Sequence, residues 1–372
     1  MDIYIHQRPD WPKFHWEKEA PARQLADIRH RQGRLLGRME GLGFAQRSEA
    51  LLRTFTLDVL KSSEIEGEIL DAGQVRSSIA RRLGLDIAGL VPSDRHVDGV
   101  VDMTLEATRN YSQPLTEQRL LVWHQGLFPS QEGRAFPIRA GAWRDDARGP
   151  MRVVSGPLGQ ERVHYEAPAA ERIPAEMSAF LDWANRTDDL DLVLKAGAAH
   201  LWFVTIHPFD DGNGRVARAI ADWALARSEQ TPQRYYSMSA QIRRERKDYY
   251  AILEKTQKGT LDITEWQQWF LGCLDRAIAG TEESLAAVFR KDGFWKTHAG
   301  LPLNERQRLM LNRLLDGLEG KLTSSKWAAL AKCSQDSAQR DIVDLIRKGI
   351  LLKDDAGGRS TSYSLKRSPG ES

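Results

Sequence analysis

Cysteine is scarce in this chain, which has only Cys273 and Cys333 among its 372 residues. Both lie in apolar sequence typical of helices, so we expect two buried, reduced thiols and no disulfide framework. Reduced thiols are typical of the cytoplasm, and we therefore expect a cytoplasmic protein.

Long apolar runs and excess charge are also absent. No stretch reaches the roughly 18 consecutive apolar residues that a membrane helix needs, and the opening MDIYIHQRPD lacks the basic and apolar regions of a signal peptide. We therefore expect no membrane partner. The formal net charge of +2 is close to zero, so nucleic-acid binding would require a local basic patch.

Apolar residues recur at helical spacing through most of the chain, which predicts a mainly α fold. The exception is residues 151–168, where alternating β-branched residues flank a Gly-Pro-Leu-Gly turn. This pattern predicts a hairpin that pairs Arg152–Val154 with Arg162–Tyr165. Because one hairpin cannot form a core sheet, we expect it to be a flap on a helical bundle.

The C-terminal sequence predicts three helices followed by a hairpin with a Gly-Gly turn, which is the order of a winged helix-turn-helix domain. Asn304 and Ser334 are predicted helix N-caps, and Gly349 ends the last helix. The polar residues predicted to face DNA are Gln335, Asp336, Ser337, Gln339, Arg340, Arg347, Lys348, Lys353 and Arg359. The acids Asp341, Asp344, Asp354 and Asp355 dilute this patch, so packing, dimerisation and protein docking remain alternatives to DNA binding.

The densest polar sequence is IHPFDDGNGRVARA, residues 206–219, which lies between two helical patterns. Gly212 and Gly214 allow backbone angles that other residues avoid, and the free N–H groups of the following helix would bind an anion. Arg215 and Arg218 add two positive charges near the same place. The pattern therefore favours a polyphosphate over a single carboxylate.

Two further residues extend this stretch from an anion site to a reactive one. Asp211 would repel a polyphosphate unless a divalent cation such as Mg²⁺ lay between them. His207 supplies a proton acceptor near neutral pH. No GxxxxGK[ST] sequence occurs, which excludes a P-loop as the phosphate site. The alternative is a polar turn between two helices, with Asp211 and Arg215 forming a surface ion pair.

From His207 to Arg218 the sequence matches every fixed position of HxFx[D/E]GNGRxxR, and the chain thereby resembles the Fic family. Members of this family mostly transfer AMP from ATP to a Ser, Thr or Tyr hydroxyl of a target protein. The resemblance covers roughly residues 1–280 and implies a Fic helical bundle whose hairpin flap holds the target by strand addition. It implies three domains: an N-terminal helical domain with an inhibitory motif at 1–95, a Fic core at 96–285 and the winged helix-turn-helix domain at 300–372.

The resemblance also implies a role for each matching residue. His207 would deprotonate the target hydroxyl, and Asn213 would be the second catalytic residue. Asp211 would hold Mg²⁺ on the phosphates of ATP. The implied ATP ligands are Gly212, Asn213, Gly214, Arg215, Arg218, Tyr249 and Tyr250, although core packing is an equally good interpretation of the two tyrosines. The implied target-docking residues of the flap are Val153, Val154, Val163 and His164.

A second motif lies well before the first one. The sequence Ser62-Ser-Glu-Ile-Glu66-Gly67 fits the inhibitory pattern [S/T]xxxE[G/N] of Fic proteins, in which the glutamate pairs with the second arginine, here Arg218. That pair would prevent the γ-phosphate of ATP from docking. Taken alone, Ser63-x-x-Glu66 predicts a capping box at the start of a helix. With the intact core motif on the same chain, inhibition is the interpretation that we favour.

These patterns support two hypotheses of function. The first is a Mg²⁺-dependent protein adenylyltransferase that is inhibited by its own Glu66. The second is a DNA-binding regulator whose Fic core senses a nucleotide. Removal of AMP and transfer of another phosphate-linked group remain alternatives within the first hypothesis. The candidate partners are ATP, a target protein with an exposed hydroxyl residue, a second copy of the chain and duplex DNA.

Overall fold

We describe a computed structural model of the chain over residues 3–17, 19–87, 89–130, 137–157, 159–315, 318, 320–354 and 361–366. These residues form two compact units, one ending at Glu283 and the other beginning at Ser284. The fold is mainly helical with two small two-stranded sheets, which confirms the predicted fold class. Within the described ranges, no helix is long and apolar enough to cross a membrane.

The helices and strands are numbered in chain order. The first unit begins with α1 (Glu19–Glu40), α2 (Phe44–Ile65), α3 (Ala72–Leu83), α4 (Arg95–Arg109), α5 (Glu117–Leu127), β1 (Arg152–Ser155) and β2 (Arg162–Glu166). It continues with α6 (Ile173–Asn185), α7 (Leu192–Ile206), α8 (Asn213–Glu229), α9 (Met238–Arg244) and α10 (Arg246–Gln257). The next helix, α11 (Thr264–Thr297), contains the boundary between Glu283 and Ser284. The later elements are α12 (Glu305–Leu315), α13 (Ser324–Leu330), α14 (Gln335–Arg347), β3 (Leu351–Lys353) and β4 (Tyr363–Leu365).

The core of the first unit is the helix pair α7 and α8. Every side chain from Val193 to Ile206 is buried, and so is nearly all of α8 as far as Ala226. Helices that are apolar on all sides need partners on all sides. Here α6 packs against α7, while α2, α4, α5 and α9 pack against α8. The polar connection between α7 and α8 is therefore held by the best-packed part of the unit.

Strands β1 and β2 form the predicted hairpin and extend one residue beyond the predicted strands. The pairing is antiparallel, with Val153 opposite Tyr165 and Val154 opposite Val163. A register shift lies between Val153 and Val154. The buried Tyr165 donates its hydroxyl to the carbonyl of Thr205, which ties the hairpin to the end of α7.

The second unit has its own core, which is formed by buried apolar residues of α12, α13, α14 and β3 together with Leu322, Ile350 and Tyr363. The side chains of Asn304 and Ser334 accept hydrogen bonds from the first turns of α12 and α14, as predicted. Residues 331–334 connect α13 to α14, and Lys332 adopts a left-handed conformation there with φ 49°.

One prediction about this unit is wrong. Cys333 lies in the turn before α14 and is half-buried, because the helix that was predicted to include it ends at Leu330. Cys273 is buried in α11, and both thiols are free. The predicted Gly-Gly turn of the second hairpin, with Asp355 and Arg359, lies outside the described residues.

Candidate active site

His207 ends α7 in a left-handed conformation that a side chain rarely adopts, with φ 52° and ψ 57°. Its strained backbone is held by Arg144, which is buried and donates from Nε to the His207 carbonyl at 2.8 Å. The backbone N–H of Arg144 also donates to the carbonyl of Pro208 at 2.9 Å. The structure thus fixes this histidine at the turn between the two core helices.

The imidazole of His207 is oriented to accept a proton. Its Nδ1 lies 3.1 Å from the carbonyl oxygen of Val204, which can only accept a hydrogen bond, so Nδ1 carries the proton. Nε2 is then the acceptor nitrogen of the neutral ring. Burial lowers the pKa of His207 to about 4, and the nearby Arg144 adds to this effect. The ring is therefore neutral at physiological pH and competent as a base.

The Asn213 side chain holds the loop itself. Its Oδ1 accepts from the N–H of Phe209 at 3.0 Å, and its Nδ2 donates to the carbonyl of the same residue at 2.8 Å. Asn213 is buried and begins α8, directly after Gly212 with φ 79°. Because both ends of the amide are engaged, we infer that Asn213 contributes its backbone N–H, and not its side chain, to an anion site.

His124 supports the same loop, although nothing in the sequence marked it. The ring stacks on Phe209 with centroids 3.9 Å apart, Nδ1 accepts from the N–H of Gly141, and Nε2 donates to the carbonyl of Asp211. Burial lowers the pKa of His124 to about 4, so it stays neutral. His124 and Arg144 are far from the motif in sequence, which is why pattern analysis missed them.

Arg218 is buried in α8, and its guanidinium is engaged by the end of α2. Its Nε donates to Ser62 Oγ and its Nη2 to the Ser62 carbonyl, both at 2.9 Å, and Nη2 also donates to Glu66 Oε1 at 2.7 Å. A Cβ atom added to Gly214 would lie 2.3 Å from that carboxylate oxygen. Glu66 thus occupies the N-terminus of α8, where the sequence predicts an anion.

The segment from Ser62 to Gly67 ends a helix. The N–H of Gly67 donates to the carbonyl of Glu64 and that of Glu68 to the carbonyl of Ser63, with Gly67 at φ 85°, which is a Schellman motif at the end of α2. The capping-box alternative is therefore wrong, because Ser63 and Glu66 lie at the C-terminus of a helix. The tight turn at Gly67 directs the Glu66 side chain towards α8.

Arg215 has an ion-pair partner that the sequence did not suggest. Its Nη1 donates to Glu68 Oε2 at 2.7 Å, and the Arg215 side chain is 5% exposed. A surface pair with Asp211 is therefore wrong, since the arginine is buried and faces α2. The signal that would have found Glu68 is its position, two residues after Glu66 in the sequence Glu-Gly-Glu.

A cavity of about 830 Å³ opens between this loop and the hairpin. Glu66, His207 and Gly214 line it on the α7–α8 side. Tyr249 and Tyr250 also line the cavity, but they differ in exposure. Tyr249 is buried, and its hydroxyl lies 3.0 Å from Nε2 of His200, so it is part of the core as well as of the cavity wall. Tyr250 is 38% exposed, and the guanidinium carbon of Arg246 lies 5.5 Å from the centre of its ring.

The hairpin forms one edge of the cavity. Val153, Val154 and His164 contribute to its lining, whereas Val163 is not among the described lining residues. His164 Nδ1 lies 2.7 Å from Oε2 of Glu254, on α10. Burial opposes ionisation of Glu254, but hydrogen bonds from Lys258, His164 and Arg162 lower its pKa to about 2. The hairpin is thus joined to α10 by charged hydrogen bonds.

Asp211 and Asp210 supply carboxylate oxygens at the same cavity, and Asp211 is exposed. No cluster of three or more metal-ligating side chains occurs among the described residues. Mg²⁺ does not require one, because it is commonly bound by one or two carboxylates together with phosphate oxygens of a substrate. The donor chemistry therefore fits a Mg²⁺ ion that binds with a nucleotide.

Comparison with known families matches two segments of the chain. Residues 114–225 match the Fic/DOC family, and residues 4–85 match a domain of unknown function, DUF4172. The first segment contains the whole loop from His207 to Arg218. The second contains α2 and therefore the motif with Glu66.

Curated relatives include protein adenylyltransferases. Protein adenylyltransferase Fic of Nematostella vectensis is 25% identical and matches 62% of this chain, and protein adenylyltransferase fic-1 of Caenorhabditis briggsae is 28% identical and matches 70%. The matches cover 49% and 46% of those proteins, so the chain spans about half their length. A uridine 5'-monophosphate transferase of Xanthomonas campestris is 32% identical over 31% of the chain and 21% of its own length.

Among solved structures, a Fic family protein from Desulfovibrio desulfuricans G20 has the same fold. Its TM-score is 0.55 at 22% identity, and the match covers 96% of this chain and 99% of the other. At this identity the likeness concerns the fold alone.

Proposed function

The chain is a Fic-domain protein, and from this premise we propose that it transfers AMP from ATP to a hydroxyl side chain of a target protein. The observation that carries the proposal is the neutral His207, whose acceptor nitrogen Nε2 lies in a cavity with the N-terminus of α8. A proton acceptor and an anion site in one cavity are what the attack of a hydroxyl on a phosphoryl group needs.

Each reacting group has a counterpart in the chain. His207 takes the proton of a Ser, Thr or Tyr hydroxyl of the target, and the oxygen attacks the α-phosphorus of ATP. The bond from this phosphorus to the bridging oxygen breaks, and pyrophosphate leaves. The N–H groups at Gly212, Asn213 and Gly214 stabilise the charge on the α-phosphoryl oxygens. Arg215 and Arg218 bind the outer phosphates once their present partners have moved.

We propose that Asp211 holds a Mg²⁺ ion against the phosphates. The ion neutralises phosphate charge and orients the leaving group when it is bound. The backbone of Asp211 is held in place by His124, which donates a hydrogen bond to its carbonyl. Tyr249 and Tyr250 are proposed to line the base pocket, with Tyr250 offering a ring face.

Glu66 is proposed to keep this site inactive. Its carboxylate takes the place of a phosphate at Arg218, and the pair is buried on the arginine side, where breaking it is costly. ATP would have to displace Glu66 before its γ-phosphate could reach Arg218. The same carboxylate could instead orient a water molecule for removal of AMP from a modified target. The test below distinguishes this removal from AMP transfer.

The hairpin is the proposed docking site for the target. Within the described ranges β1 pairs with β2 alone, so its other edge can accept a strand. Val153, Val154, Val163 and His164 would then flank the bound segment. A strand held at this edge runs beside the cavity in which His207 lies.

The transferred group is tested with ATP labelled at either phosphate. We expect Glu66→Gly to transfer label from α-labelled ATP to protein and none from γ-labelled ATP. His207→Ala in the same background should abolish the transfer. Preference for UTP would indicate UMP transfer, as in the name of the Xanthomonas relative. Loss of AMP from a premodified target in the parent protein, without transfer in the variant, would favour AMP removal.

A second candidate function concerns the unit that begins at Ser284. This part of the sequence has 16 Lys and Arg against 10 Asp and Glu, although the whole chain is nearly neutral. Two of the four acids predicted to dilute its basic patch have partners within the unit. Asp341 is buried against Asn304 and Arg306, and Asp344 accepts from Lys348 and Gln307. The local excess of basic residues is the observation that supports DNA binding as this second candidate function, with protein docking and dimerisation as its alternatives.

The exposed face of α14 offers Gln335, Gln339 and Arg340 to a partner. Glutamine and arginine side chains read base edges in the major groove, while basic residues contact phosphates. Fluorescence anisotropy of the full chain with duplex DNA should give binding that weakens steeply with salt. Arg340→Ala should weaken it, and Lys13→Ala, which removes an exposed cation of the other unit, should not. Absence of binding at low salt would exclude this function.

A further inference from the structure

Glu68 contacts the motif as directly as Glu66 does. We propose that Glu68 is a second inhibitory carboxylate, which masks Arg215 while Glu66 masks Arg218, so that one short segment closes both arginine sites. The inference rests on the proposed function in one respect, that the two arginines bind phosphates of the substrate.

The geometry of the two pairs is matched. Glu66 Oε1 and Glu68 Oε2 each lie 2.7 Å from a guanidinium nitrogen of their arginine. The arginine side chains are 2% and 5% exposed, and the glutamates are 30% and 33% exposed. Each pair therefore joins a buried cation of α8 to a carboxylate at the rim, and either carboxylate can leave towards solvent.

Arg215 directly follows Gly214 in α8, and its guanidinium lies one aromatic ring away from Gly212. Its guanidinium carbon lies 5.2 Å from the centre of the Phe128 ring. The edge of the same ring lies 3.1 Å from the place that a Cβ of Gly212 would take. The Phe128 ring thus lies between the Arg215 guanidinium and Gly212, the first residue of the anion site. The cavity lining includes Glu66 but neither arginine among the described residues, which is the expected arrangement if both are masked.

Glu68 is positioned by the turn at Gly67, and His96 lies beside its carboxylate. The Glu68 backbone N–H closes the Schellman turn at Gly67, so the positions of Glu66 and Glu68 are set by one turn. His96 adds a side-chain contact, since its Nε2 lies 2.6 Å from Glu68 Oε1 while its Nδ1 lies 2.9 Å from the Leu127 carbonyl. The contact with His96 is attractive only when the imidazole is protonated, because its Nδ1 already donates to a carbonyl.

Two consequences follow for the proposed reaction. Removal of Glu66 alone would free Arg218 and leave Arg215 masked, so Glu66→Gly would be only partly released. A ligand with several phosphates would gain from the removal of both carboxylates, whereas AMP, which lacks the outer phosphates, would gain little from the loss of Glu68.

The test compares Glu66→Gly with Glu66→Gly/Glu68→Gln by titration calorimetry of the full chain with tripolyphosphate, ATP with Mg²⁺, and AMP. We expect the double variant to bind tripolyphosphate and ATP about tenfold more tightly than the single one, because a hydrogen-bonded charge no longer competes. AMP affinity should change by less than about twofold. Glu66→Gly/Glu64→Gln is the matched control, since Glu64 lies on the same segment but pairs with Lys61 and Arg243.

Equal affinities in the single and double variants would overturn the proposal, and so would weaker binding in the double variant, because Glu68 would then orient Arg215. An equal gain for AMP would also overturn it by indicating a general change in the pocket. If Glu68→Gln does not fold, Glu68→Asp shortens the side chain and withdraws the carboxylate. If the double variant binds tripolyphosphate more tightly but transfers no AMP, only the proposed reaction is refuted. If it transfers AMP but binds tripolyphosphate no more tightly than Glu66→Gly, only the masking of Arg215 by Glu68 is refuted.

Discussion

Asn213 offers a sharp test of how the candidate site is built. Replacing it by alanine removes the acceptor for the Phe209 N–H and the donor to the Phe209 carbonyl, at 3.0 and 2.8 Å. Phe209 is buried, so both backbone groups lose their partner away from solvent. Each orphaned group costs roughly 1–3 kcal/mol, so we expect the loss of two partners in Asn213→Ala to lower the free energy of unfolding by about 2–6 kcal/mol.

The chain contains a matched control for this change. Asn185 accepts from the N–H of Leu115 at 2.8 Å and donates to its carbonyl at 2.7 Å, which is the same two-bond clamp outside the loop. Asn185→Ala should therefore cost a similar unfolding free energy in urea denaturation. In a Glu66→Gly background, only Asn213→Ala should also weaken ATP binding, by about tenfold or about 1.4 kcal/mol, because the N–H groups of the loop lose their alignment.

The reasoning would be refuted by an Asn213→Ala variant as stable as its parent, since the clamp would then hold nothing. An equal loss of ATP affinity in both variants would show that the effect of Asn213 is global. Retained ATP affinity with reduced stability would show that the loop keeps its shape without the clamp.

Three further predictions concern other parts of the site. Because burial lowers the pKa of His207 to about 4, the neutral form of the ring prevails above that pH. We therefore expect kcat/KM of Glu66→Gly to stay level from pH 8 to about 5. A transition near pH 6.5 would indicate a histidine with an unperturbed pKa and would contradict this prediction. Glu254→Gln should weaken the contact of His164 with α10 and so release the hairpin, which should raise the KM for the target without changing ATP affinity. A rise in the KM for ATP as well would contradict a local tether. Gly67→Ala should cost about 1 kcal/mol in urea denaturation and raise basal transfer by loosening Glu66; undiminished inhibition would show that the turn does not position the carboxylate.

The sequence predicted the parts of the molecule whose signals are local. Helical spacing, the alternating hairpin at 151–168 and the caps Asn304 and Ser334 each depend on residues close together in the chain. The motif from His207 to Arg218 is equally local, since one turn and the first residues of α8 carry all its polar groups.

Residues that act across the fold could not be predicted in this way. Arg144 and His124 hold the loop from elements 63 and 87 residues away from their loop partners. The sequence around Glu66 could be interpreted in two ways. Ser63 and Glu66, three residues apart, are typical of the start of a helix, whereas Gly67 with its left-handed backbone is typical of the end of one. Glu68 was overlooked because its partner Arg215 is 147 positions away.

The central claim is that Glu66 occupies a phosphate site of an enzyme that transfers AMP. It is tested most directly by intact-mass spectrometry of the parent and of Glu66→Gly after incubation with ATP and Mg²⁺ and a mixture of candidate target proteins. We expect the variant to add the mass of one AMP to itself or to a target, with little addition by the parent. Equal modification by both proteins, or none by either, would contradict the claim.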